Sequence, residues 1–221
     1  MLKAIIFDLD GTLLNTLEDI ADCTNLVMTK NNFPISDLKK YNYFVGNGIE
    51  DMVRSALPKS ERKKERIVKK CTSQFADIYE DGWHNKTTIY DGISDLIDYI
   101  NSQELKLAIL SNKPDNFTKK TIDYFFDGIE FDAVWGKKEK YLLKPNPESA
   151  LAMIRELEVK SEEVLYVGDT KIDMKTANNC GFCSVGVLWG FRTENELQEN
   201  GADYIVNSPS DIIEIIKEFS K

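Results

Sequence analysis

Four apolar residues in a row, Ala4 to Phe7, run straight into Asp8-Leu9-Asp10-Gly11-Thr12. A short unbroken apolar run bounded by a turn signal fits a strand buried on both faces, as inside a parallel sheet. The pattern recurs along the chain. Strand-like runs at 4–8, 106–111, 131–135, 164–168, 184–188 and 204–206 alternate with helical patterns at 92–103, 116–125, 147–157, 171–179, 193–200 and 210–219. Such alternation predicts an α/β fold, a parallel sheet with helices on both faces. Sites in these sheets lie beyond the carboxyl ends of the strands. Asp8, Ser111 and Asp169 all fall at predicted strand ends.

The alternation breaks between about residues 16 and 83. That stretch reads as all-helical, with helices over 17–29, 36–43, 48–56 and 60–79. The predicted organisation is therefore a core of 1–15 and 84–221 with an inserted helical domain at 16–83. The charge-rich run 59–70 reads as a solvated helix face.

A formal charge of −9 argues against general affinity for nucleic acid or an anionic membrane. No apolar run approaches the roughly 20 residues that span a bilayer. The N-terminal apolar run is too short for a signal peptide and is interrupted by Asp8 and Asp10. Four cysteines are few for 221 residues, so a reducing, cytoplasmic compartment is expected. Cys180-Gly181-Phe182-Cys183 has the spacing of a redox or zinc pair. No second such pair exists, and the sole histidine, His84, is far away in sequence. A helix ending at Gly181 and a strand starting near Cys183 explains it better.

Asp8 and Asp10 sit two apart, so extended backbone points both carboxylates the same way. Two carboxylates closing a buried strand are costly to desolvate together. A cation between them would remove that cost, and oxygen-only ligands suit Mg²⁺.

Phe7-Asp8-Leu9-Asp10-Gly11-Thr12-Leu13 resembles the first motif of the haloacid dehalogenase superfamily of phosphohydrolases. Three further segments resemble its remaining motifs, in order: Leu107 to Asn112, Lys144-Pro145, and Val164 to Asp173. The inserted helices resemble the family's C1-type cap, and the core its Rossmann-like sheet. The resemblance implies an aspartate nucleophile, Asp8, that forms an aspartyl-phosphate. Asp10 would be the general acid and then the base. Mg²⁺ would be held by Asp8, the Asp10 carbonyl and Asp169. Ser111, Asn112 and Lys144 would bind the phosphate, and Asp173 would orient the metal site or Lys144, unless it is a plain helix-start aspartate. The dehalogenases themselves lack an aspartate at the Asp10 position, so Asp10 favours phosphoryl chemistry.

Finer resemblances run to the phosphoglycolate phosphatase group: Tyr43 to Leu57, Thr88 to Gly92, Ser111 to Pro114 and Gly186 to Arg192. Asn15 and Thr16 depart from the aspartate and serine usual in this family at the cap hinge. The loop Gly46-Asn47-Gly48 is read either as the specificity loop or as a plain inter-helix turn. The roles of Lys113, Arg54 and Arg192 stay open, Lys113 facing either site or solvent. The expected partner is a small phosphorylated metabolite, for a monomer or homodimer. Pyrophosphatase, nucleotidase and beta-phosphoglucomutase-like activities are the alternatives. Mutase relatives carry glutamate where this chain has Gly168, which lowers that reading. A non-catalytic module would have lost Asp8, Asp10, Lys144 or Asp169, and none is lost.

Overall fold

The computed structural model describes residues 1–219. In chain order, β1 (Ala4–Phe7) and β2 (Leu14–Asn15) precede α1 (Leu17–Lys30), α2 (Leu38–Phe44), α3 (Ile49–Ala56) and α4 (Glu65–Gly82). There follow β3 (Thr88–Ile89), α5 (Ile93–Ser102), β4 (Lys106–Pro114), α6 (Asp115–Phe125), β5 (Ala133–Lys137) and α7 (Glu148–Glu156). The chain continues through β6 (Val164–Gly168), α8 (Lys171–Cys180), β7 (Cys183–Val187), α9 (Glu194–Glu199), β8 (Tyr204–Val206) and α10 (Pro209–Phe219). It forms two compact units, one of residues 1–14 with 89 onward and one of Asn15–Thr88.

The first unit is built on a six-stranded sheet in the order β5-β4-β1-β6-β7-β8, with every pairing parallel. β1 lies between β4 and β6, where Ala4 pairs with both Lys106 and Val164. Its four residues are fully buried because alternate side chains serve opposite faces. Ile5 and Phe7 pack with Leu96, Ile97, Ile100, Ile212 and Ile216 of α5 and α10. Ala4 and Ile6 pack with Ala150, Met153 and Ala177 of α7 and α8. The chain winds outward from β1 to β4 and β5, then returns to β6 and winds the other way. This reversal opens a crevice beyond the strand ends at β1, as in other doubly wound sheets.

The second unit packs α1 to α4 around Val27, Met28, Tyr41, Met52, Val53, Val68, Cys71 and Phe75. Asn25 of α1 ties α2 down by bonding both Ser36 backbone groups and accepting from the Tyr41 hydroxyl at 2.8 Å. The unit runs on to Thr88, past the sequence-based limit of 83, for a visible reason. Buried Asp19 accepts from the backbone N–H groups of Lys86 and Thr87 and from the Thr87 hydroxyl, fastening that segment to α1.

Four elements differ from the sequence expectation. The helix expected from residue 60 begins at Glu65. Arg62 folds back to donate to the carbonyls of Leu57 and Ser55, at 2.8 and 2.7 Å, so the preceding residues form turns. β4 runs three residues past Ser111, through an irregularity described below. The two-residue strands β2 and β3 were too short to show any periodicity.

The pair Cys180 and Cys183 behaves as expected. Gly181 takes the left-handed conformation (φ 69°) that ends α8, and β7 starts at Cys183. All four cysteines are free thiols. No helix among the described residues is long and apolar enough to cross a membrane.

Candidate active site

Asp8 follows β1, Asp169 follows β6, and the two strands are adjacent and in register. Their carboxylates therefore meet at one end of the sheet. Asp173 in the first turn of α8 joins them, and one oxygen from each of the three lies within 4.8 Å of the others. Lys144 completes the cluster. Its ammonium is 2.9 Å from Asp8 Oδ1, 2.8 Å from Asp173 Oδ1 and 3.0 Å from the Tyr166 hydroxyl.

Asp173 does two things at once. Oδ2 accepts from the backbone N–H and hydroxyl of Thr170, forming the capping box that starts α8. Oδ1 holds Lys144. Asp173 thus starts α8 with one oxygen and meets Lys144 with the other.

Asp169 is fully buried. Thr12 donates to its Oδ1 at 3.2 Å, and the Phe191 backbone N–H donates to its Oδ2 at 2.8 Å. Glycines let the chain close around it. A Cβ on Gly190 would overlap the Asp169 Cβ and the Gly11 carbonyl, and a Cβ on Gly11 would overlap the Asp169 carboxylate.

The electrostatics follow from this crowding. Burial, opposed by Lys144 and reinforced by Asp173 and Asp10, pushes the Asp8 carboxyl up from 3.8 to about 7. Burial, then Asp173 and Asp8, holds Asp169 well above the carboxylate range, against the Phe191 N–H and Arg192. Burial works to lower Lys144, yet Asp173 and Asp8 hold it well above its ordinary value.

The carboxyl side chain of Asp10 points to a different partner, the ammonium of Lys113 at 2.9 Å. The four carboxyl groups of Asp8, Asp10, Asp169 and Asp173 thus share two buried ammonium groups, an excess of two acidic groups. An oxygen-only, buried donor set with that excess fits a divalent cation such as Mg²⁺.

Ser111, Asn112 and Lys113 occupy the irregular stretch of β4. Leu110 pairs with Trp135 and Pro114 with Lys137, so β4 spends four residues where β5 spends two. Bulges of this kind re-aim side chains and occur beside functional sites. The Ser111 hydroxyl accepts from the Lys113 N–H at 3.2 Å. Asn112, expected on the substrate, has its amide on the backbone of Lys144. Oδ1 accepts from Lys144 N at 2.8 Å and Nδ2 donates to Lys144 O at 3.1 Å. It therefore aims Lys144.

Two residues passed over by sequence reasoning bear on the site. Tyr166 supports Lys144, and the Trp189 indole donates to the Thr12 carbonyl at 2.9 Å, fixing the loop after Asp10. Tyr166 lies inside an ordinary apolar run, so nothing in the sequence marks it. Arg192 pairs with Glu196 at 3.1 Å.

In the helical unit, Gly46, Asn47 and Gly48 join α2 to α3, and both glycines adopt positive φ, 126° and 88°. Asn47 is exposed. Arg54 is committed to Glu50, Glu65 and the Arg62 carbonyl, within 2.7–3.0 Å.

Comparison with known proteins agrees with this architecture. Residues 5–187 match the family model described as haloacid dehalogenase-like hydrolase. The phosphoglycolate phosphatase of Vibrio parahaemolyticus is 27% identical over 97% of this chain and 96% of its own. The solved structure of a predicted phosphoglycolate phosphatase from Haemophilus somnus 129pt superposes with a TM-score of 0.89 at 26% identity, covering 97% of this chain and 98% of that one. A haloacid dehalogenase-like family protein of Streptococcus pneumoniae shares the fold at TM-score 0.87 and 21% identity, over 97% of this chain and 98% of its own.

Proposed function

We propose that this chain, which belongs to the haloacid dehalogenase-like hydrolase family, is a Mg²⁺-dependent phosphatase of small phosphate monoesters. Its first candidate substrate is 2-phosphoglycolate, the substrate named for its relatives. The observation that carries the reading is the ammonium of Lys144, 2.9 Å from Asp8, in a pocket where three buried carboxylates converge.

In this mechanism the Asp8 carboxylate attacks phosphorus while the bond to the leaving oxygen breaks, and Asp10 gives that oxygen its proton. An aspartyl-phosphate remains on Asp8. Water then attacks the same phosphorus as ionised Asp10 takes its proton. The bond from phosphorus to the Asp8 oxygen breaks, inorganic phosphate leaves, and both carboxyl groups return to their starting state. Ser111 and Lys144 hold the phosphate oxygens and balance their charge. Asp173, Tyr166 and Asn112 fix where the Lys144 ammonium stands. Asp8, Asp169 and the Asp10 carbonyl would hold Mg²⁺. Bound there, it would neutralise phosphate and nucleophile so that two anions can approach.

Gly168 supports hydrolysis over the mutase alternative. A Cβ there would overlap the side chain of Asp173, so the glutamate of mutase relatives has no room while Asp173 stays in place.

The test is Mg²⁺-dependent phosphate release from 2-phosphoglycolate, sugar phosphates, nucleotides and pyrophosphate, with Asp8→Asn alongside. A dominant kcat/KM for 2-phosphoglycolate is expected, with no turnover by a folded Asp8→Asn protein. Broad, weak turnover would displace the named substrate. An Asp8→Asn protein working at the normal rate would refute the nucleophile.

A further inference from the structure

The mechanism above gives no task to Lys113, yet the fold invests heavily in its place. Its side chain is 4% exposed, and its ammonium lies 2.9 Å from Asp10 Oδ1. Burying an ammonium is unfavourable by several kcal/mol unless an anion meets it. β4 uses two residues more than β5 between Leu110 and Pro114, and Lys113 lies within that irregular stretch, against Asp10.

The backbone at Lys113 is held from three sides. Its N–H donates to Ser111 Oγ at 3.2 Å, and its carbonyl accepts from the hydroxyl of fully buried Thr118 at 3.2 Å. β5 closes against it at Gly136, where any Cβ would overlap the Lys113 carbonyl oxygen. A side chain rooted this firmly presents its charge at a fixed point. Asp10 needs such a point. It follows the end of β1 in a loop whose backbone is tied by bonds of Gly11, Thr12, Leu13 and Leu14, while its carboxyl group is met by the Lys113 ammonium.

We infer that Lys113 is a positioning residue that holds the Asp10 carboxyl group where it meets the leaving oxygen and then the attacking water. This rests on the reading of Asp10 as the proton-transfer group. It assigns Lys113 no direct contact with the transferred phosphate, which separates it from Lys144.

The experiment measures kcat/KM for phosphate esters of graded leaving-group acidity, from an alkyl phosphate to p-nitrophenyl phosphate. Wild type, Lys113→Met, Lys113→Arg, Asp10→Asn and the double variant Asp10→Asn/Lys113→Met are compared. Poor leaving groups need the proton and good ones do not. Lys113→Met should therefore lose about 30-fold on the alkyl ester but less than about 3-fold on the aryl ester. Lys113→Arg should regain most of the loss, and inhibition by orthovanadate should be unchanged. In the Asp10→Asn background the lysine substitution should cost nothing more, because Lys113 acts through Asp10. The double variant removes both charges and keeps the comparison available if Lys113→Met alone does not fold. A loss equal across the ester series, or one that persists without Asp10, overturns the inference while the phosphatase reading stands. A wild-type protein that hydrolyses no ester in the series overturns both.

Discussion

Replacing Lys144 with Met tests whether the site is a balanced set of charges. Met nearly preserves the stem and removes only the ammonium. In the structure that ammonium is 2.9 Å from Asp8 and 2.8 Å from Asp173, on a side chain only 2% exposed. Removing one partner of a buried pair costs about 3–5 kcal/mol, because the other charge is left uncompensated. For a chain of this size each kcal/mol lowers Tm by about 2–4 °C, so a fall of about 6–20 °C is expected. The loss should depend on pH, and its sign follows from Asp8. Its carboxyl is already raised from 3.8 to about 7 with Lys144 present, and without it the value goes higher. A carboxyl raised by folding gives stability that is full below its unfolded value and is lost as pH rises through the folded value. The deficit should thus be smallest below about pH 7 and grow as pH rises beyond it. The assay is thermal unfolding by circular dichroism in EDTA on either side of that pH. Adding Mg²⁺ should then stabilise Lys144→Met more than wild type, since the cation supplies the missing positive charge. A Tm within about 2 °C of wild type at pH 8, or a deficit that does not shrink on acidification, would refute the charge-balance reasoning.

Three further outcomes follow from the same geometry. Asn112→Ala should lower kcat by about 10–100-fold with little change in KM and a retained fold, because Lys144 loses its backbone clamp; steady-state kinetics decides it. Gly190→Ala should cost about 1–3 kcal/mol and abolish the Mg²⁺-dependent rise in Tm, because the new methyl group displaces Asp169; unfolding with and without Mg²⁺ reads both effects. In the helical unit, Asp19→Ala should cost about 3 kcal/mol, since buried Thr87 loses a charged acceptor for both N–H and hydroxyl. A lower urea midpoint and faster amide exchange at Thr87 would show it.

The sheet was legible because its strands are buried on both faces. Val-Leu-Tyr-Val-Gly at 164–168 can hardly be anything but an internal strand, and β6 covers that run. The carboxylates were legible because each closes such a run. The direction of Lys113 was not, since it lies in the irregular stretch of β4 and no residue type announces that irregularity. The bonds of Asn112 to the Lys144 backbone were not legible either, because an amide at a strand end suits a ligand and a neighbouring backbone equally well. The start of α4 was obscured because Arg62 and Lys64 suit a helix by propensity, and only the folded-back bonds of Arg62 hold that stretch in turns. The glycines at 46 and 48 marked a tight turn correctly, since both take φ values that other residues avoid.

The central position of β1 has a consequence for how the molecule comes into being. β1 is synthesised first, but the strands that flank it begin at residues 106 and 164. On the ribosome the helices of Asn15–Thr88 can find their partners early, since their contacts are local. The first strand must wait with both edges unpaired until most of the chain has emerged. Lys144, Asp169 and Asp173 arrive in that same late stretch. A nascent chain therefore carries Asp8 long before it carries the groups that surround it, and truncated chains should have no partial activity.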